Sequence, residues 1–299
     1  MTTMTNNNRK LLARYKNGNY TVRLYDDGTK IKSTLDDEFN ADFPDSVDLK
    51  ITDYCEMNCP MCHESSSISG RHADLNSPFF DTFFAGTELA IGGGNPLSHP
   101  DLLPFLSKMK QNGVICNLTV NEKHLLANKQ LLQSMLNDRL IWGLGVSLNG
   151  YDDQTLEFAR QNPTVVLHAI CGILDESHAQ KLYGKNLKIL LLGYKDFGRG
   201  KAYRSNVTDG NIAWLKREIL SFADKFNTVC FDNLALAQLD MRNQLPNEVF
   251  EQNYMGDDGT ASMYVDMVNR QYAQNSVSTE RYPLPDSLIQ AFTVIKKLK

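Results

Sequence analysis

The sequence predicts an α/β fold: a partial (β/α)6-type or near-complete TIM-like barrel with an N-terminal β-hairpin and a less regular C-terminal extension. Short apolar segments alternate with amphipathic helical segments between residues 47 and 240, which is the pattern of β/α units and a parallel sheet. The apolar segments show little polar alternation, so we expect strands that are covered on both faces. Several such units in a row favour a full or partial barrel.

The N-terminal region is expected to be an extension, residues 1–46, that precedes the barrel. Its first dozen residues are polar and predict disorder. Apolar and polar residues then alternate over residues 19–33, and an Asp27-Gly28 pair is a strong signal for a two-residue turn. We therefore predict a β-hairpin at 19–33.

The barrel is expected to span residues 47–240, with its elements following one another along the chain. Strands are predicted at 47–52, 88–93, 114–121, 141–149, 164–173 and 187–194. Helices are predicted at 99–113, 123–138, 152–161, 175–183 and 214–226. After about residue 240 the pattern loosens, and residues 241–299 are expected to close the substrate side of the barrel.

Composition narrows the class of protein. The net charge of −4 and the pI near 5.9 give no electrostatic reason to expect nucleic acid or an anionic membrane as partner. No apolar run approaches the roughly 20 residues of a membrane span. The start "MTTMTNNNRKLL" lacks the apolar centre of a signal peptide, so we expect a cytoplasmic protein.

Half of the six cysteines fall within eight residues, in the segment "CEMNCPMC". In a reducing compartment such a cluster favours metal binding or catalysis over disulfides. Structural zinc needs four ligands, and His63 is a poor fourth because it adjoins Cys62. A [4Fe-4S] cluster can be held by three thiolates, which leaves one iron open. Cys116, Cys171 and Cys230 stand alone and are expected to be small buried side chains.

The cysteine segment resembles the C-x3-C-x-Φ-C signature of the radical S-adenosylmethionine (radical SAM) enzymes, with Met61 at the usually aromatic position. The resemblance implies that Cys55, Cys59 and Cys62 bind three irons of a [4Fe-4S] cluster. The amine and carboxylate of S-adenosylmethionine (SAM) would bind the fourth iron, and the backbone near Met61 would lie beside the adenine.

The segment "AIGGGNPLSHPDL" is similar to the GGEP segment of the same family. By this resemblance, backbone carbonyls of Gly92, Gly93 and Gly94 approach the SAM ammonium group. Asn95 stands where the family has glutamate, so it accepts a hydrogen bond without the attraction of a charge. Taken alone, three glycines would also suit a tight turn.

Two further segments resemble SAM-binding parts of the family. "GLGVSLNGYDDQTLE" places Ser147 and Asn149 on one side of a strand, facing the SAM ribose or carboxylate, unless they cap the next helix. "GYKDFGRG" places Lys195 and Arg199 beside a bend, where either could pair with the SAM carboxylate or an anionic substrate group. A solvated basic turn is the alternative.

The resemblance implies reductive cleavage of SAM to a 5′-deoxyadenosyl radical, which abstracts hydrogen from a substrate. The substrate would be a peptide or protein side chain or a small metabolite, and flavodoxin or ferredoxin would supply the electron. No second cysteine cluster follows, which argues against maturases with auxiliary clusters. The alternatives are an activase that installs a glycyl radical on a partner protein, and a non-catalytic zinc-binding interaction module.

Substrate-side residues are expected outside the motifs. Cys230, at the end of a predicted strand, could donate a hydrogen atom to a substrate radical, or it could be a buried thiol. Asp257, Asp258 and Ser262 in "GDDGTASMY" would face the substrate if this segment closes the barrel. The N-terminal hairpin could dock an extended peptide by strand addition, although pairing within its own domain is simpler.

Overall fold

The computed structural model describes residues 9–298. Its strands are β1 (Leu11–Asn17), β2 (Tyr20–Tyr25), β3 (Lys30–Ser33), β4 (Ser46–Thr52), β5 (Glu88–Gly93), β6 (Ile115–Asn121), β7 (Gly143–Ser147), β8 (Val165–Ile170), β9 (Lys188–Leu192), β10 (Thr228–Phe231), β11 (Ser262–Asp266), β12 (Gln271–Ala273) and β13 (Tyr282–Pro283).

The helices are α1 (Leu102–Gln111), α2 (Glu122–Ala127), α3 (Lys129–Asn137), α4 (Asp153–Gln161), α5 (Glu176–Leu182), α6 (Arg199–Tyr203), α7 (Asn206–Ala223), α8 (Asn233–Gln238), α9 (Met241–Gln244), α10 (Asn247–Asn253) and α11 (Leu288–Lys296). Two short 3₁₀ segments, Pro78–Thr82 and Pro96–Ser98, precede β5 and α1. Over residues 9–298, we find no helix with the length and apolar character of a membrane span.

One large sheet organises the molecule, in the strand order β10-β9-β8-β7-β6-β5-β4-β11-β12-β13. The strands from β4 to β10 are parallel, and β11 adds to the other edge of β4, also in parallel. The expectation of an α/β fold with a large parallel sheet is confirmed. The sheet is open in the described chain, with β10 and β13 as its edges, so a closed barrel is not confirmed.

The two faces of this sheet differ in exposure, which corrects the expectation that the strands are covered on both faces. Val47, Leu49 and Ile51 of β4 point into a core that is shared with α1, α3, α4 and α7. Asp48 and Ala90, which are register partners on the opposite side, are exposed. We call this second side the open face, defined by Asp48, Ala90, Asn117 and their register partners.

The N-terminal residues form a three-stranded antiparallel sheet, β1-β2-β3, where the sequence predicted a two-stranded hairpin. β1 begins at Leu11, inside the segment expected to be disordered; residues 1–8 lie outside the described range. Asp45 joins this sheet to the start of β4. Its buried carboxylate accepts hydrogen bonds from Asn17 Nδ2 (2.7 Å) and Tyr20 Oη (2.9 Å).

Two predicted helices differ from the structure for identifiable reasons. The helix expected at 123–138 is interrupted at Asn128, whose Nδ2 donates to the His124 carbonyl at 2.9 Å and ends α2. The helix expected from Trp214 begins earlier, at Asn206, because Ser205 and Thr208 form a capping box before it. Gly210 lies in the exposed first turns of α7, where a helix tolerates glycine at modest cost.

Candidate functional site

The three clustered cysteines lie on one loop at the carboxyl end of β4. Cys55, Cys59 and Cys62 are all free thiols of intermediate exposure. The loop is folded by its own backbone: the Cys55 N–H donates to the Ser67 carbonyl at 2.9 Å, and the Cys62 N–H donates to the Cys59 carbonyl at 3.2 Å. The predicted place of the loop, behind a strand of the parallel sheet, agrees with the structure.

Arg199, which follows β9 in the chain, forms hydrogen bonds to this loop. Its Nε donates to the Cys59 carbonyl and its Nη2 to the Ser66 carbonyl, both at 3.0 Å. The Arg199 backbone N–H also donates to the Cys62 carbonyl, at 3.1 Å. Gly198 permits this approach, because a Cβ there would lie 2.4 Å from the His63 carbonyl oxygen. The guanidinium group predicted to meet an anion is therefore bonded to the cysteine loop.

The glycine segment after β5 also packs against the cysteine loop. A Cβ on Gly94 would lie 2.1 Å from the Tyr54 carbonyl oxygen, so only glycine fits there. The Asn95 N–H donates to that same carbonyl at 2.6 Å. Gly92, by contrast, has open space where a Cβ would be, and it shares the open face with Lys50. The backbone of this segment thus borders both the loop and the open face.

A carboxylate from within the cysteine motif occupies the neighbourhood of Asn95. Asn95 Nδ2 donates to both Glu56 oxygens, at 3.1 and 3.3 Å, and its Oδ1 caps the next 3₁₀ segment at Leu97. His124 Nε2 lies 3.0 Å from Glu56 Oε1. Burial of the imidazole lowers the pKa of His124, although Glu56 opposes this shift. Asn95 therefore supplies no negative charge itself, but its amide binds the Glu56 carboxylate beside Cys55.

The loop after β7 reaches a cysteine. Asn149 Nδ2 lies 3.6 Å from Cys59 Sγ. Behind it, the buried Glu122 carboxylate accepts the backbone N–H groups of four successive residues, at 2.6–3.0 Å: Asn149, Gly150, Tyr151 and Asp152. Burial would raise the pKa of Glu122, but these four N–H groups outweigh it and lower the pKa.

Lys50 forms the charged centre below the loop. Its Nζ lies 2.6 Å from Asp53, 2.8 Å from Glu64 and 3.3 Å from Asp266, and its side chain is only 7% exposed. Burial would lower the pKa of Lys50, but Glu64, Asp53 and Asp266 raise it. Tyr264 Oη donates to Glu64 at 3.2 Å. These bonds connect both ends of the cysteine loop to β11.

Lys195 lies beside the same cluster of charges. Its Nζ donates to Ser276 Oγ at 2.8 Å and lies 3.5 Å from His63 Nε2. Through space it also acts on Asp48, on the open face. Although Asp48 is exposed to solvent, desolvation of its carboxyl by the surrounding protein raises the pKa of this group to about 6, and Lys195 opposes this shift. The Lys195 ammonium is therefore close enough to Asp48 to act on a carboxyl of the open face, while its contacts are to Ser276 and His63.

The register places several other predicted residues on the open face. Ser147 pairs with His168, whose partner Leu190 pairs with Cys230, and paired residues share one side of a parallel sheet. Cys230 is exposed there, so the expectation of a buried thiol is wrong for this residue. Cys116 and Cys171 are buried, as the sequence predicted for them.

The three expected substrate residues near the C-terminus do not form one group at the cysteine loop. Ser262 pairs with Ser46, at the amino end of β4, whereas the cysteine loop follows the carboxyl end. Asp258 accepts hydrogen bonds from Asn233 and Asn275, both at 2.7 Å. Asp257 is exposed and accepts a hydrogen bond from Tyr254. Asp258 thus ties together three chain segments.

The three thiols are not gathered closely enough in this structure for all of them to bind one zinc ion. Sulfur atoms bound to one zinc lie within about 4.6 Å of each other, because a Zn–S bond is about 2.3 Å long. Over residues 9–298, the three donors that lie within 4.8 Å of one another are those of Cys55, Glu56 and His124, and the cysteine trio does not meet this limit. A [4Fe-4S] cluster offers one iron to each thiolate, so it does not require the three sulfur atoms to lie this close together.

Sequence reasoning missed several residues of the site. Glu56 was visible inside the cysteine motif, but its pairing with Asn95 was not. Lys50 and Glu122 carry no motif, and each would be unremarkable on a strand or at the start of a helix. A charged residue that points into a mainly apolar strand, as Lys50 does in "VDLKIT", is the signal that could have flagged one of them.

The fold resembles solved structures of SuiB from Streptococcus suis. SuiB bound to the precursor peptide SuiA gives a TM-score of 0.56 at 13% sequence identity, covering 82% of this chain and 63% of that chain. SuiB bound to S-adenosylmethionine gives 0.55 at 11% identity, covering 82% and 64%. The chain thus spans just under two thirds of SuiB, and likeness at this identity establishes the fold alone. No protein-family model and no curated protein matches the chain.

Proposed function

We propose that this protein is a radical SAM enzyme in which Cys55, Cys59 and Cys62 hold a [4Fe-4S] cluster. The observation that carries the proposal is the cysteine loop itself: three free thiols, spaced too widely for one zinc, at the carboxyl end of a parallel strand. The fold shared with SuiB, which has been solved with S-adenosylmethionine bound, supports this function. When bound and reduced, such a cluster would supply the electron that cleaves SAM to a 5′-deoxyadenosyl radical.

The chain's own residues would orient SAM at the open iron. Gly92 has open space where a Cβ would be, so a ligand such as the SAM ammonium can approach its backbone from that side. We assign the missing negative charge at position 95 to Glu56, which Asn95 and His124 hold beside Cys55. Met61 and Ser147 remain the proposed neighbours of the adenine and the ribose.

The open face is the proposed substrate side. It carries exposed Asp48 and Cys230, and the Lys195 ammonium, from the loop after β9, is close enough to act on Asp48. SuiB has been solved with a precursor peptide bound, which favours a peptide as the substrate of this chain too. Cys230 is positioned to donate a hydrogen atom from this face to a substrate radical.

A mononuclear metal site is the second candidate function, favoured by one observation. The donor atoms of Cys55, Glu56 and His124 all lie within 4.8 Å of one another, which suits zinc. On this reading the protein would be a zinc-binding interaction module. Metal analysis separates the two functions: about four irons and four sulfides per chain for the cluster, or a single zinc.

The test is anaerobic reconstitution with iron and sulfide, followed by dithionite and SAM, with 5′-deoxyadenosine measured by mass spectrometry. We expect 5′-deoxyadenosine from the parent chain and none from Cys59→Ala, which should also lose the brown cluster absorbance. Cys116→Ala is the matched control, because Cys116 is buried in the core away from the loop. SAM cleavage that survives in Cys59→Ala would refute the ligand assignment.

A further inference from the structure

The side-chain amide of Asn149 contacts the sulfur of Cys59, which the proposed role of Asn149 in SAM binding does not explain. Its Nδ2 lies 3.6 Å from Cys59 Sγ, close enough for an N–H group to donate to sulfur. The two groups come from different loops, one after β4 and one after β7. Asn149 is exposed, so this contact lies at the solvent side of the loop, where water can also reach the amide.

The backbone of residues 149–152 is fixed by hydrogen bonds to Glu122, which fixes the position of the Asn149 side chain at its start. Glu122 is 1% exposed and accepts all four N–H groups of residues 149–152. Tyr151 adopts a left-handed φ of 58°, and its ring stacks on His178 at 4.3 Å. A non-glycine residue keeps such a conformation only where its surroundings enforce it.

We propose that Asn149 donates a hydrogen bond to the Cys59 thiolate and thereby raises the reduction potential of the cluster, with Glu122 as the positioning residue. The inference rests on the proposed function, because it requires a cluster on Cys59. Reduction adds negative charge that spreads onto the sulfur atoms, so a donor stabilises the reduced state more than the oxidised one. A given electron donor then reduces a larger fraction of the protein.

The choice of an amide at this position matters for the same reason. A carboxylate has no hydrogen to donate at neutral pH, and it would place a second negative charge beside the thiolate. Asn149→Asp should therefore lower the potential further than Asn149→Ala does. The fall from the parent to Ala reports the lost hydrogen bond, and the further fall from Ala to Asp reports the added negative charge.

The experiment is an anaerobic potentiometric titration of the reconstituted full chain, without SAM, followed by EPR. For Asn149→Ala we expect about a tenfold fall in the one-electron reduction equilibrium, equal to a shift of about 59 mV to more negative potential. Asn149→Ala made in a Glu122→Gln background should shift the potential by less than it does in the parent, because Glu122 no longer holds the amide against the sulfur; the change of charge at position 122 is common to both chains and cancels. Asp152→Ala is the control, because it removes the cap of α4 in the same loop and contacts no sulfur; its potential should equal that of the parent.

Iron and sulfide analysis accompanies every titration. A parental potential in fully loaded Asn149→Ala would overturn the inference, and weaker SAM binding at unchanged potential would do so too, by assigning Asn149 to SAM. If Asn149→Ala fails to bind iron, Asn149→Ser and Asn149→Asp supply the comparison. If the parent chain binds no cluster, the proposed function fails first, and the iron content alone shows which of the two has failed.

Discussion

Replacing Lys50 by methionine should destabilise the protein strongly. Lys50 Nζ contacts three carboxylates at 2.6–3.3 Å, and the side chains of Glu64 and Asp266 are only 15% and 9% exposed. Methionine keeps the apolar stem but leaves these acids without their shared cation. Removal of one partner from a buried ion pair costs about 3–5 kcal/mol. Asp53 is 24% exposed and keeps some water, so we take about 3 kcal/mol.

Thermal unfolding followed by circular dichroism at neutral pH measures this loss. At about 2–4 °C per kcal/mol, a loss of this size lowers Tm by about 6–12 °C. Lys185→Met is the matched control: Lys185 contacts only Asp153, which is 93% exposed, and such a surface pair contributes at most about 1 kcal/mol. Adding Glu64→Gln and Asp266→Asn to Lys50→Met should restore part of the loss. A Tm for Lys50→Met equal to that of Lys185→Met would refute the reasoning.

Four further predictions concern the site. Arg199→Met should lower the iron bound per chain after desalting, because two charge-assisted hydrogen bonds to the loop are lost, each of about 1.5–3 kcal/mol. Arg204→Met is the control: it changes a nearby exposed side chain and should bind as much iron as the parent. The fold lowers the pKa of Glu122 from 4.5, so its carboxylate stabilises the folded protein fully above that pH and loses this effect as the pH falls. The difference in Tm between the parent and Glu122→Gln should therefore shrink on acidification. A constant difference would contradict this. Asn95→Ala should raise the SAM dissociation constant about fivefold, because Glu56 loses a hydrogen bond of about 1 kcal/mol that holds it beside the loop, whereas an unchanged value removes Asn95 from the site. Cys230→Ala should leave SAM cleavage intact and abolish product formation, and normal product would exclude Cys230 as the hydrogen donor.

Local sequence patterns were sufficient for the parallel strands from β4 to β9 and for the cysteine loop. β5 was predicted at 88–93 and is observed at Glu88–Gly93, where Gly93 adopts a positive φ of 111° and ends the strand. Helix boundaries were less secure. The break at Asn128 depends on one side chain that bonds to its own backbone, a local alternative that apolar periodicity does not reveal.

The sequence by itself determined that three thiols share one short loop behind a strand, because residues so close along the chain cannot lie far apart in space. It also determined the alternation of strands and helices, which depends on apolar periodicity within each segment. These features are local, and they carried the resemblance to radical SAM enzymes.

The tertiary structure alone decided which groups surround the thiols. Arg199 reaches the loop from beyond β9, Asn149 from beyond β7, and Asp266 from a strand that enters beside β4. The sequence contains many other arginine, asparagine and aspartate residues that could have occupied these positions. Only the strand order selects among them, since it sets which loops meet at one edge of the sheet. Whether the sheet closes also depends on this order, because β11 pairs with β4 and leaves β10 as an edge.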